Sequence, residues 1–365
     1  MSKVYFTDMR TSFTENLPKK LTRLIDRAGL GAIDFDHKFV AIKIHFGEMG
    51  NLAYLRPQYA RALAAYIKER GGLPFLTDCN TLYVGSRKNA LEHIETAYIN
   101  GYTPYATGCQ VIIADGVRGT DEAYIPIGCE EVKTAKIGRA IADADIIISL
   151  NHFKGHEDAG FGGALKNLGM GSGSRAGKME MHYDGKPVVD RDRCRGCRKC
   201  ATICANDGIH YENNKAVIDH DHCVGCGRCI AICSFDAIKP HNSSSAASLN
   251  RRIAEYAYAV VKDKPNFHIS IAADISPNCD CHPENDAPIV PNIGMFASFD
   301  PVAIDLAAAD AVNAMPANPR SALSEAECRC HDHFINVHPN TNWRVQIEHG
   351  EEIGLGSSEY ELIRI

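Results

Sequence analysis

A chain of 365 residues, 45% hydrophobic and 23% charged, has an ordinary globular makeup and is long enough for about two domains. A formal charge of −6 and an isoelectric point near 6.2 argue against nucleic acid as the main partner. No run of about 18 apolar residues predicts a membrane span, and the opening MSKVYFTDMR lacks an apolar stretch of signal-peptide length, so a cytoplasmic location is expected.

Residues 4–7 carry a short apolar strand pattern, and 17–28 carry helical periodicity. A second strand is predicted over 38–45 (KFVAIKIH) and a helix over 57–70. Residues 73–77, 111–114 and 145–150 (DIIISL) predict further buried strands, with helices over 89–99 and 134–142 between them. Later in the chain, 245–261 reads as a helix and 267–274 as a strand. Asp300-Pro301 supplies an N-cap and a first-turn proline for a helix over 302–312. Strands alternating with helices of this length imply an α/β fold whose parallel or mixed sheet has helices on both faces.

Eight of the fifteen cysteines interrupt that alternation, in two copies of one spacing. The first run is Cys194-x2-Cys197-x2-Cys200-x3-Cys204, and the second is Cys223-x2-Cys226-x2-Cys229-x3-Cys233. Three thiolates at every third residue wrap one iron–sulfur cube, while the fourth reaches the other cube. The spacing therefore predicts two [4Fe–4S] clusters, one on Cys194, Cys197, Cys200 and Cys233, the other on Cys223, Cys226, Cys229 and Cys204. Paired zinc sites are the alternative, but two tetrahedral shells do not account for two identical four-cysteine runs.

Over residues 188–240 the sequence resembles bacterial, clostridial-type two-cluster ferredoxins. It departs from them after each run, where Ala205 and Ser234 stand in place of a turn-shaping proline that does not ligate iron. A discontinuous α/β domain is expected over 1–187 and 241–365, interrupted by a small ferredoxin-like α+β module at 188–240. The flanks 169–177 (GMGSGSRAG) and 241–245 (HNSSS) have linker chemistry. Seven further cysteines, with no export signal, fit reduced thiols, and exposed low-potential clusters suit an anaerobic setting.

Beyond the strand at 145–150 lies a dense polar run, Asn151-His152-Phe153-Lys154-Gly155-His156-Glu157-Asp158. Ligands in α/β sheets bind past the carboxyl ends of strands. Lys154 could fix an anion, His156 and His152 could handle protons, and Gly160, Gly162, Gly163, Lys166 and Asn167 could cradle a cofactor. An ordinary charged loop is the alternative. The glycines match no dinucleotide fingerprint; a flavin could convert between one- and two-electron steps, though no motif marks one. Cys279-Asp-Cys281-His282 and Cys328-Arg-Cys330-His331 are C-x-C pairs that could bind a third metal or form reactive thiols, or be buried reduced cysteines. His45-Phe-Gly-Glu48 could join the same face, or His45 could be an ordinary capped loop histidine. Cys79, Cys109 and Cys129 read as core packing.

The runs NHFKGHEDAGFGGALKNLGMG (151–171), CDCHPENDAPIVPNIG (279–294) and SFDPVAID (298–305), with a cluster insert between them, resemble a family of prokaryotic proteins described as uncharacterized Fe–S centre proteins. That resemblance implies cluster binding and a redox role, and adds weight to Lys154, His156 and Cys281. An iron–sulfur oxidoreductase is expected, fed by a redox partner protein such as a ferredoxin or flavodoxin and acting on an anionic small molecule. A non-catalytic electron-transfer subunit, or a metal or redox sensor or assembly protein using the extra C-x-C pairs, are the alternatives.

Overall fold

The computed structural model describes the chain apart from residues 83–84, 184–185, 205, 224, 226 and 241–245, and the side chains of 183, 231 and 240. Cys226, Ala205 and the 241–245 flank lie outside the described residues.

Eight strands form one sheet: β1 (Ser2–Asp8), β2 (Phe39–Lys43), β3 (Leu73–Asp78), β4 (Gln110–Ile113), β5 (Ile146–His152), β6 (Asn266–Ala272), β7 (Gly294–Ser298) and β8 (Tyr360–Arg364). Their order is β8-β1-β7-β6-β5-β2-β3-β4, and β7 alone runs against its neighbours. The principal helices are α1 (Leu17–Arg27), α2 (Pro57–Lys68), α3 (Ala90–Ile99), α4 (Ala164–Ser172), α5 (Arg175–Tyr183), α6 (Ala246–Val261) and α7 (Pro301–Asn313). Local chemistry sets several starts. Asn16 caps α1 by accepting from the Lys19 N–H, and Asp300 caps α7 through the Val302 and Ala303 N–H groups, each with proline in the first turn.

Helices cover both faces, because the strands alternate between two cores. Along β5, Ile146, Ile148 and Leu150 pack toward α1 and α2, while Ile147 faces the core of α4, α6 and α7. Strands β2, β3 and β4 step outward in one direction, and β5 and β6 step in the other. The order thus reverses between β2 and β5, and a crevice opens there at the carboxyl ends.

Two expectations need correction. Residues 134–142 are not one helix: Thr134–Gly138 is a strand paired antiparallel with Glu122–Pro126, and only Arg139–Asp143 is helical. Ala135 and Ile137 are buried while Thr134 and Lys136 are partly exposed, a period of two that short length disguised. Residues 169–177 are not a linker either, since they lie in α4, α5 and the tight turn between them. A Cβ on Gly169 would stand 2.2 Å from the Ile253 carbonyl of α6, so glycine here permits close helix contact.

In the segment 187–240, Pro187–Val189 pairs antiparallel with Ile238–Pro240, so the chain enters and leaves side by side. Two helical turns, Lys199–Ile203 and Arg228–Ile232, and a hairpin, Ile209–Glu212 with Lys215–Ile218, lie between. Left-handed backbone recurs at matching positions of the two cysteine runs: Gly196 and Gly225, Arg198 and Gly227, Asp207 and Asp236. The small apolar core of this segment includes Leu82 and Met179 from the α/β body, and Lys88 reaches Asp236 at 2.7 Å. No helix among the described residues is long and apolar enough to cross a membrane.

Candidate functional site

A cavity opens at the carboxyl ends of β2, β3, β5 and β6. One wall begins where β2 and β3 end, in a buried lattice of charge. Lys43 Nζ meets Asp78 at 2.9 Å, Arg87 Nε meets Glu48 at 3.0 Å, and Arg87 also lies 3.8 Å from Asp78. Two cations and two anions balance there, as enclosed charges require. The Glu48 carboxylate also receives the Ser86 N–H at 2.7 Å. His45 accepts from the Gly47 N–H and sits 3.0 Å from Arg87. Burial and that guanidinium push its pKa down to about 3.

The opposite wall comes from the segment after β5. Lys154–His156 pairs with Gly160–Gly162 as a hairpin, pressed so closely on the loop after β6 that a Cβ on Gly155 would stand 2.1 Å from the Pro277 carbonyl. An aromatic group, Phe153, Phe161, Phe334 and Trp343, supports the hairpin from below. Lys154 is 6% exposed and lines the cavity, and its ammonium has no hydrogen-bond partner among the described residues. Arg87 Nη2 is likewise buried without a partner among them.

The third wall is a turn over 279–282, closed by the His282 N–H on the Cys279 carbonyl at 3.1 Å. Asp280 anchors it. His152 Nδ1 lies 2.9 Å from the Asp280 carboxylate, and the Glu48 N–H donates to the Asp280 carbonyl at 2.8 Å. His152 Nε2 meets the Ala273 carbonyl at 2.8 Å, so one ring nitrogen holds the turn, the other holds the end of β6, and the expected proton-handling role does not suit it. Cys279 and Cys281 line the cavity, with Lys166 Nζ of α4 at 3.3 Å from Cys279 Sγ. The hydrogen bond from Cys281, with Lys166 and Lys154 near, holds the Cys279 thiol well below its usual range despite burial. The same hydrogen bond, with burial, drives Cys281 well above that range. Glu157 bridges to His282 at 2.8 Å.

The cofactor-cradle expectation takes a different form in the structure. Asn167 is committed to Lys43, Asn151 and the Lys43 carbonyl. Gly163 precedes α4, but the anion at that helix start is the chain's own: Asp305 accepts from the Ala164 and Leu165 N–H groups at 2.6 and 2.9 Å. A Cβ on Gly160 would meet Trp343, and one on Gly162 would meet Lys154, so both glycines serve packing of the hairpin. Cys328 and Cys330 are exposed, and no metal-competent group among the described residues contains either. Cys109 is core, Cys79 is buried at the cavity edge, and Cys129 is only partly buried.

His156, Cys279 and Cys281 bring ligand-type atoms within 4.8 Å of one another and are of the kinds that could bind a metal. In the 187–240 segment two smaller cavities occur. One is lined by Cys194, Cys197, Cys200 and Cys233, the other by Cys204, Cys223 and Cys229. Asp78, Arg87, Lys178 and His182 also line the large cavity and were missed in sequence. Asp78 was findable, since it ends a parallel strand as His152 does. Lys178 and His182 gave no such signal, being on a helix.

A mostly parallel sheet with a cationic, thiol-bearing crevice at its switch point and a cysteine-rich segment beside it defines a class of α/β protein with metal-binding potential. Residues 40–310 match the model of DUF362, a domain of unknown function, and the chain belongs to that family. No curated protein matches it. Among solved structures it is similar to a structural-genomics target from Thermotoga maritima, with 12% identity over 80% of this chain and 56% of that one and a TM-score of 0.39. It is also similar to the lactate racemase apoprotein from Thermoanaerobacterium thermosaccharolyticum, with 10% identity over 75% of this chain and 51% of that one and a TM-score of 0.36. The chain spans about half the length of these two proteins.

Proposed function

We propose that this protein is an iron–sulfur redox protein whose two [4Fe–4S] clusters relay single electrons to or from a small anionic ligand in the large cavity. One cluster is assigned to Cys194, Cys197, Cys200 and Cys233, the other to Cys223, Cys226, Cys229 and Cys204. What carries this conclusion is the pair of small cavities, each lined by cysteines from both runs, which is the crossing that the spacing requires. Backbone N–H groups point at the sulfurs in matched fashion, Gly208 to Cys204 and Ala237 to Cys233, both at 3.3 Å. Such hydrogen bonds raise a cluster's potential by stabilising its reduced, more negative form.

An anionic ligand fits the Lys154 ammonium, which has no hydrogen-bond partner among the described residues, and the spare Nη2 of the Glu48-paired Arg87, because a buried donor is costly until it is satisfied. Leu82 supports coupling of the two regions: it lines the large cavity and also belongs to the apolar core of the cysteine segment. Tunnelling falls steeply with distance, so a shared wall residue favours internal transfer over a docking-only role.

Protein purified without oxygen should carry about eight irons per chain and show the paramagnetic signal of reduced [4Fe–4S] clusters. Changing all eight cysteines to serine should remove both. Iron-free, colourless protein would sink the proposal. With clusters intact, Lys154→Ala should abolish reduction of the cavity ligand; undiminished electron transfer to every acceptor would favour a plain carrier.

A further inference from the structure

Cys279 and Cys281 extend that function, and the inference rests on it. Two residues of chain reach at most about 7 Å, and the closed turn over 279–282 shortens this, into the roughly 4.4–6.8 Å Cα range of a disulfide. Asp280 is gripped by His152 and by the Glu48 N–H, and Asn51 donates to the His282 carbonyl at 3.0 Å. With the backbone fixed on three sides, rotation of the two side chains alone changes the separation of the sulfurs, which now lie within 4.8 Å.

The ligand types suggest a metal, but their surroundings point elsewhere. His156 Nδ1 accepts the Asp158 and Ala159 N–H groups at 3.0 and 3.1 Å, which leaves the ring proton on Nε2. A ligating imidazole needs the opposite arrangement, a bare nitrogen toward the metal and a donating N–H behind it. Lys166 Nζ, 3.3 Å from Cys279 Sγ, already supplies the positive charge that a metal would bring.

We propose that Cys279 and Cys281 form a dithiol–disulfide couple, with Cys279 paired to Lys166, that passes electrons from the clusters to a small anionic disulfide. The Cys279 thiolate attacks one sulfur of the bound disulfide and releases the other half as a thiolate. Cys281 gives up its proton and attacks Cys279 Sγ, which frees the second thiolate and closes the Cys279–Cys281 bond. Two electrons, one from each reduced cluster, and one proton then break that bond and restore a thiolate and a thiol. The net change is one disulfide and two electrons to two thiolates. Lys154 and Arg87, facing the cavity, select the anionic form of the substrate.

The test uses the anaerobic holoprotein with dithiodiacetate as probe and neutral hydroxyethyl disulfide as control. Iodoacetamide labelling with peptide mapping should find two adducts on the 279–281 peptide after cluster reduction and none after dithiodiacetate. The neutral probe should react at least tenfold more slowly. Lys166→Met should slow labelling of Cys279 at least tenfold with iron unchanged. Two adducts in both states overturn the couple. So does protection in both states together with one equivalent of non-iron metal that Cys279→Ser removes. Iron measured on the same sample separates the two ideas: open thiols with about eight irons present sink the couple alone.

Discussion

Lys43, Asp78, Arg87 and Glu48 are enclosed together at the edge of the cavity, and removing one leaves its partners charged and dry. Asp78→Ala should cost about 3–5 kcal/mol, the range for breaking a buried pair, read by urea denaturation; a loss below about 1 kcal/mol would show the lattice relaxing freely. The Glu157–His282 pair sets a pH dependence. Glu157 raises His282 from 6.5 to about 9 and is itself held below the usual carboxylate range, by His156 and His282 against burial. A raised histidine stabilises fully below pH 6.5 and loses that contribution as pH climbs through about 9. Thermal stability should therefore drop between pH 7 and 10, and His282→Gln should flatten that slope; an unchanged slope would refute the assignment. At this scale the cysteine runs were legible because like residues repeated at one close spacing announce themselves. Arg87 and Lys178 were not, since each is a single charge in its segment: Arg87 meets Glu48 and Asp78 from elsewhere in the chain, and Lys178 Nζ donates to the Gly173 carbonyl.

Elements were legible where one pattern dominated. The apolar runs of β2, β3, β5 and β6 stand out because a strand buried on both faces need not alternate. Strand β7 carries no clear strand signal and Thr134–Gly138 reads as helix from sequence, because five residues fit either period. The glycines at 169–177 misled in a more instructive way, since composition does not distinguish flexibility from tight contact. Gly169→Ala tests the distinction. A new Cβ at 2.2 Å from the Ile253 carbonyl must push α4 from α6, at about 1–3 kcal/mol for overpacking. Because α4 carries Lys166, the substitution should also slow Cys279 labelling. A variant as stable as the parent would mean that the helices part without strain.

For the whole molecule, alternating strands and helices foretold the α/β class, while the placement of the cavity depended on strand order, which no local pattern encodes. The hairpin carrying Lys154 and His156 rests on Phe334 and Trp343, and His338 Nε2 donates to the Pro277 carbonyl at 2.8 Å. All three residues lie past position 310, where the family match stops. A chain ending at 310 would keep every cysteine of both runs and of the thiol turn, yet its hairpin would lose its footing. Such a shortened protein should still take up iron but fail to hold an anion, so the boundary of the shared family region is a poor guide to where the working unit ends.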